Sequence, residues 1–119
     1  MGLTGIETTT PIFIGAALDR GLDPARIGRM IATGPARIFG LYGRKGAIAP
    51  GFDADLILLD PKGETVIDAD AFQGQAKWSP FDGTRWTGRT VATFLRGTEV
   101  FSEAGLAARP GAGRFMARA

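Results

Sequence analysis

The sequence predicts an α+β fold: N-terminal helices over residues 1–42, followed by a small β module. Three observations predict it. Thr10-Pro11 and Asp23-Pro24 each place a capping side chain before a proline, the pattern of a helix start. Ile27, Met30 and Ile31 then recur at i, i+3 and i+4, which lines one helix face. Beyond Gly43 the pattern changes to short apolar runs separated by Pro-Gly and Gly turns, as strands require.

In chain order, the first helix is expected over PIFIGAALDR, ending at Gly21. Its apolar residues Ile12, Phe13, Ile14, Ala16, Ala17 and Leu18 surround most of its circumference, so it calls for burial on more than one side. The second helix covers PARIGRMIAT, and Gly34-Pro35 ends it and opens a short helical turn, PARIFGL. GAIA then reads as a short strand, and Pro50-Gly51 suits the centre of a type II turn. ADLILLD reads as a strand covered on both faces, because its apolar run is nearly unbroken. Pro61-Lys62-Gly63 is expected to turn the chain before a further strand, ETVID. Residues 70–89 read as loop, with a turn at SPFDG, and RTVATFLRG pairs with TEVFSE as a hairpin about Gly97-Thr98. The β module spans 43–103, and 104–119 form an extended basic tail. Roughly five short strands are too few to close a sandwich or barrel alone.

Composition narrows the function. The 119 residues suffice for one ordinary domain, and an apolar fraction of 45% supports a core. Fourteen basic against 12 acidic residues give a net charge of +2, with no basic face of the kind nucleic acid demands. The absence of cysteine removes disulfides and thiolate chemistry, and the absence of histidine removes the commonest general base and metal ligand. No apolar run approaches the roughly 20 residues of a membrane-spanning helix, and MGLTGIETTT lacks a signal-peptide pattern, so a cytoplasmic location is expected.

Four groups of residues invite a functional reading, each beside a structural one. Asp53 and Asp55 at i, i+2 would share a face of an extended segment, where two carboxylates can share a proton or hold a hard cation. Equally, Asp53 can bond the backbone of the Pro-Gly turn while Asp55 caps the strand, and this is the preferred reading. GLTGIET places two glycines ahead of a helix, where backbone can approach a ligand closely, or where a loop simply enters a capped helix. Glu7 can cap or pair, and Thr8, Thr9 and Thr10 offer hydroxyls for local bonding. Trp78, Phe81 and Trp86 suit a ligand wall or, more often, pins of a loop onto the core. Arg109, Arg114 and Arg118 suit acidic groups on a neighbour or a solvated surface.

The order of GLTGIETTTP, GPARIFGLYGRKGAIAPGFDADLILLDP, SPFDGTRWTGRTVATFLRGTEVF and RPGAGRFMAR resembles the C-terminal end of the cyclic amidohydrolases: dihydroorotase, allantoinase and hydantoinase/dihydropyrimidinase. The resemblance covers nearly the whole chain. It departs at Gly34, where many relatives have Asn. It implies that residues 1–42 end a TIM-type barrel and that the strands belong to a β-sandwich beside it. It further implies a binuclear zinc centre in the full-length enzyme, with an early His-x-His pair, a carboxylated Lys, two later His and one Asp as ligands. A metal-bridging hydroxide would attack the amide carbonyl. None of Lys45, Lys62 or Lys77 falls in the metal-lysine motif, so the resemblance gives this chain neither metal ligands nor catalytic residues, and an isolated chain is expected to be inactive. It does give Thr4 and Gly5 as substrate-binding, through backbone contact with a cyclic amide. The implied partner is the barrel region or an identical chain, met through the apolar first helix. The alternative is a non-catalytic interaction module.

Overall fold

The computed structural model describes residues 5–117. The chain packs as two compact units, each built from two stretches of sequence: Met1–Leu22 with Asp60–Arg89, and Asp23–Leu59 with Thr90–Ala119. Residues 1–42 therefore contribute to both units, and so does the segment 43–103.

In the first unit, α1 spans Thr9–Asp19. It starts earlier than Thr10-Pro11 suggests, because the Gly5 carbonyl accepts the N–H groups of both Thr8 (3.2 Å) and Thr9 (2.8 Å) and begins the coil there. Thr8, not Thr10, is the N-cap, and its side chain makes no capping bond. Helix α1 buries Ile14, Gly15 and Ala17. Gly15 is required: a Cβ there would lie 2.8 Å from Trp86 Cβ and 3.0 Å from the Thr87 carbonyl. The core of this unit is Ile67, Ala69 and Phe72, with Ile12 and Trp86 packed against them. The SPFDG turn closes onto it. Gly83 donates to the Ile67 carbonyl (2.8 Å), Ile67 donates to Thr84 (3.0 Å), and the Asp82 carboxylate accepts the Ala69 N–H at 2.8 Å.

In the second unit, α2 spans Pro24–Gly28, and the Asp23 carboxylate caps it by accepting the Ala25 N–H at 3.2 Å. The coil then widens into a π-turn over Arg29–Thr33 and tightens again into α3, Gly34–Ile38. Gly34 does not end the helix as expected. Its φ of −58° is helical, and its N–H reaches back to the Arg29 carbonyl, five residues earlier. The wide turn breaks the regular i, i+3, i+4 face: Ile27 and Ala36 are buried, while Met30 and Ile31 are exposed. GAIA forms no strand. Gly46 instead passes close to the helix, where a Cβ would lie 2.6 Å from Ala36 Cβ, and its carbonyl accepts the Thr33 hydroxyl at 2.6 Å. The turn at Pro50-Gly51 forms as expected: Phe52 donates to the Ala49 carbonyl at 3.1 Å, and Gly51 has φ +90°.

Four strands form one sheet in the order β1-β2-β3-β4: β1 Leu56–Val66, β2 Arg85–Leu95, β3 Thr98–Ser102 and β4 Gly105–Leu106. The predicted turn at Pro61-Lys62-Gly63 is absent, and ADLILLD and ETVID are one long strand. Asp60 accepts the Lys62 N–H at 2.9 Å and so satisfies the donor beside the proline without a reversal. Pro61 is tolerated because β1 lies at the edge of the sheet. The predicted hairpin is present. β2 and β3 pair antiparallel through the two-residue loop Arg96-Gly97, one residue earlier than the Gly97-Thr98 expected, and its φ values of 49° and 80° suit a type I′ turn. A bulge at Thr93/Phe94 shifts its register. Strand β4, antiparallel to β3, is an addition that the sequence pattern is too short to reveal. The chain is thus α+β, with helices first and an antiparallel β module after them.

Candidate functional site

The loop entering α1 belongs to the first unit. Thr4 lies outside the described residues; Gly5 lies at the start of the loop. The Gly5 carbonyl is fully engaged by Thr8 and Thr9, which leaves its N–H as the group it can offer a ligand. A Cβ at Gly5 would meet the Thr9 hydroxyl at 2.7 Å, so a larger residue there requires that side chain to turn away. Glu7 reaches across 66 residues of sequence. Its carboxylate accepts the Gln73 N–H at 3.0 Å on each oxygen and the Gly74 N–H at 3.2 Å. Thr8 is buried, whereas Thr9 is exposed. Sequence reasoning missed the partners at 73 and 74, since nothing local links them to Glu7.

Asp53 and Asp55 belong to the second unit; Asp55 holds the start of β1 as expected, but the Asp53 carboxylate pairs with Lys45 instead of bonding the backbone of the Pro-Gly turn. Asp53 donates its N–H to the Arg44 carbonyl at 2.8 Å. Asp55 accepts the Arg96 N–H at 2.7 Å, which ties the start of β1 to the β2–β3 turn, while Gly97 donates to the Ala54 carbonyl at 2.9 Å. The ammonium of Lys45 sits between the two acids. It bonds Asp55 and lies 2.9 Å from Asp53 Oδ2, with Arg44 farther off at 3.9 Å. The contact to Asp53 is an ion pair rather than an aligned hydrogen bond, since Asp53 Oδ2 is enclosed yet has no hydrogen-bond partner among the described residues. Partial burial works against the charge on Lys45, but the carboxylates of Asp55 and Asp53 outweigh it and hold its pKa above the ordinary lysine value. Burial likewise acts to raise the Asp55 pKa. The bonds from Lys45 and the Arg96 N–H overcome this and hold it below the usual carboxylate value. Lys45 and Arg96 were not foreseen as partners; the bases at one end of RKGAIAPGFDAD and the acids at the other are the signal that could have found Lys45.

Beside this cluster lies an open cavity of about 630 Å³, lined mainly by apolar residues including Ile31, Ile48, Ile57, Leu58 and Phe94. The aromatic trio does not act together: Trp86 packs into the core of the first unit, whereas Trp78 and Phe81 are exposed. Lys77 bonds the Phe72 carbonyl. Arg109 and Arg114 are exposed on the tail, and Arg118 lies outside the described residues. A binuclear metal centre does not fit the donors present. The chain has no imidazole or thiol, no three carboxylates converge among the described residues, and the nearest acidic pair is occupied by Lys45.

The Amidohydrolase family profile matches residues 10–100. The chain belongs to the amidohydrolase family. It is 37% identical over 118 residues to an L-hydantoinase of Paenarthrobacter aurescens, a match covering 98% of this chain and 26% of that one. It is 36% identical to a D-hydantoinase of Streptomyces coelicolor, covering 99% and 25%. Among solved structures, it resembles an L-hydantoinase (dihydropyrimidinase) from Arthrobacter aurescens with a TM-score of 0.91 at 37% identity, covering 98% of this chain and 26% of that one. A D-hydantoinase (dihydropyrimidinase) from Thermus sp. gives a TM-score of 0.86 at 30% identity, covering 95% and 25%. This amidohydrolase chain thus spans about a quarter of the length of the relatives it matches. No helix among its described residues is long and apolar enough to cross a membrane.

Proposed function

We propose that this chain is the C-terminal part of a cytoplasmic hydrolase of cyclic amide C–N bonds, of the hydantoinase type, with dihydroorotate and allantoin as the other candidate ring classes. The observation that carries this reading is the match of nearly the whole chain to one quarter of two hydantoinases. In this reading the helices close a TIM-type barrel, and the strands form part of the β-sandwich beside it. Thr4 and Gly5 contact the cyclic amide. Gly5 donates its N–H to a ring carbonyl oxygen, because its own carbonyl is held by Thr8 and Thr9. The zinc pair and its ligands belong to polypeptide outside these residues, and the partner is that barrel region, packed on α1.

The pure chain, with zinc added, is expected to turn over none of hydantoin, dihydroorotate or allantoin. Ring opening is expected to appear when the polypeptide encoded directly ahead of Met1 is supplied. Turnover by the 119-residue chain alone would overturn the reading.

A second reading, a non-catalytic module that self-associates or complements a separate barrel subunit, is favoured by one observation. Ile57 and Leu58, neighbours on the edge strand β1 and so on opposite faces of it, are 50% and 56% exposed. Light scattering separates the readings: a compact monomer over a wide concentration range counts against self-association.

A further inference from the structure

Glu7 is used by nothing in the reading so far, yet it makes the most demanding contact of the loop that enters α1. Three hydrogen bonds converge on its carboxylate: Gln73 N–H to Oε1 and to Oε2, each 3.0 Å, and Gly74 N–H to Oε1 at 3.2 Å. Oε1 accepts from both N–H groups, and Oε2 takes a second share of the Gln73 N–H. A glutamine would offer one oxygen and turn its own NH₂ toward a donor. The site therefore selects a carboxylate rather than a side chain of that size. Apolar packing does not hold the loop at this point, because Ile6, between Gly5 and Glu7, is 90% exposed. Among the described residues the loop is fixed at two places instead: the Gly5 carbonyl on the first amides of α1, and the Glu7 carboxylate on the turn at 73–74.

We propose that Glu7 is the positioning residue of the substrate-contact loop: by holding the amides of Gln73 and Gly74, its carboxylate sets where Gly5 presents its N–H. The inference rests on the assignment of Gly5 to substrate contact made above. Glu7 touches no substrate in it; it acts through the backbone between residues 5 and 7. Bonds from backbone N–H to an ionised carboxylate are among the stronger neutral-to-charged hydrogen bonds, so their loss is expected to loosen both segments that they join.

The test uses the 119-residue chain, its Glu7→Gln variant and its Glu7→Asp variant, with hydantoin as the probe. Two quantities are read for each amide by NMR: hydrogen-exchange protection at Gln73 and Gly74, and the shift of the Gly5 N–H as hydantoin is added to millimolar concentration. In the parent chain both amides are protected and the Gly5 signal moves. In Glu7→Gln, protection at 73 and 74 is expected to fall about tenfold or more, and the Gly5 response to weaken, while Trp86 fluorescence reports an intact core. Glu7→Asp keeps the charge and is expected to recover part of both signals. Unchanged protection and an unchanged Gly5 response in Glu7→Gln would overturn the role of Glu7 while leaving the substrate reading in place. A parent chain whose Gly5 N–H ignores hydantoin although 73 and 74 are protected would overturn the substrate reading, and the positioning role with it.

Discussion

Replacing Lys45 with methionine keeps the aliphatic stem and removes the charge that Asp53 and Asp55 share. The side chains of Lys45, Asp53 and Asp55 retain only 20%, 26% and 30% of their exposure, so water screens the cluster incompletely. An exposed ion pair contributes about 0–1 kcal/mol, whereas removing one partner of a buried pair costs about 3–5 kcal/mol. This cluster lies between those limits. Asp55 keeps the Arg96 N–H, but Asp53 Oδ2 is left with only the distant Arg44 for compensation. A loss of about 2 kcal/mol at pH 7 follows, equivalent to a fall in melting temperature of about 8 °C for a chain of this size. The pH dependence has a definite sign. The folded Asp55 pKa is depressed, so its contribution is present above the unfolded carboxylate value of about 3.9 and is lost as pH falls through the lower, folded value. The folded Lys45 pKa is raised, so its contribution is full below the unfolded value of about 10.4 and is lost only as pH rises beyond it. Urea denaturation of parent and Lys45→Met, followed by circular dichroism, should therefore show the full difference at pH 6–8 and a shrinking one toward pH 3. A difference below about 0.5 kcal/mol at pH 7, or one that does not change on acidification, would refute the reasoning.

Two further substitutions test local statements. Gly15→Ala gains helix propensity of about 1 kcal/mol, but its methyl would meet the Thr87 carbonyl and Trp86 Cβ at 3.0 and 2.8 Å, backbone-anchored atoms that have little room to retreat. The net expectation is a loss of about 1–2 kcal/mol in chemical denaturation, and a gain in stability would contradict the packing of α1 on β2. Asp23→Ala removes the cap on α2 and should cost about 1 kcal/mol, seen as a lower urea midpoint with an unchanged m-value; no change in the midpoint would mean that the Ala25 N–H is satisfied another way.

The parts of the fold that could be read in the sequence are those set by local rules. Asp23-Pro24 names its own cap and Pro50-Gly51 its own turn, and Gly97 marks the hairpin to within one residue, because each depends on the φ and side-chain chemistry of two or three adjacent residues. What could not be read depends on distant partners. Pro61-Lys62-Gly63 has the composition of a turn, but β2 alongside and the Asp60 side chain keep it extended. Gly34-Pro35 has the composition of a helix end, yet the wide π-turn carries the coil through it. The apolar run of β1 reads as a strand covered on both faces, whereas Ile57 and Leu58 are exposed among the described residues. At the candidate site the same division holds. The strand-start role of Asp55 follows from its immediate neighbours, while the contributions of Lys45, Arg96 and the 73–74 amides come from chain segments 8 to 67 residues away.

Strands β1 and β2 each begin in one unit and finish in the other, since the unit boundaries fall at 59/60 and 89/90, inside both strands. No single scission of the polypeptide can release either half as a continuous piece. A protease nick, an exon junction or a circular permutation placed at 22/23 severs only a loop, but every other route between the halves passes through hydrogen-bonded ladder. A cut within β1 or β2 at 59/60 or 89/90 therefore divides a strand that both halves share.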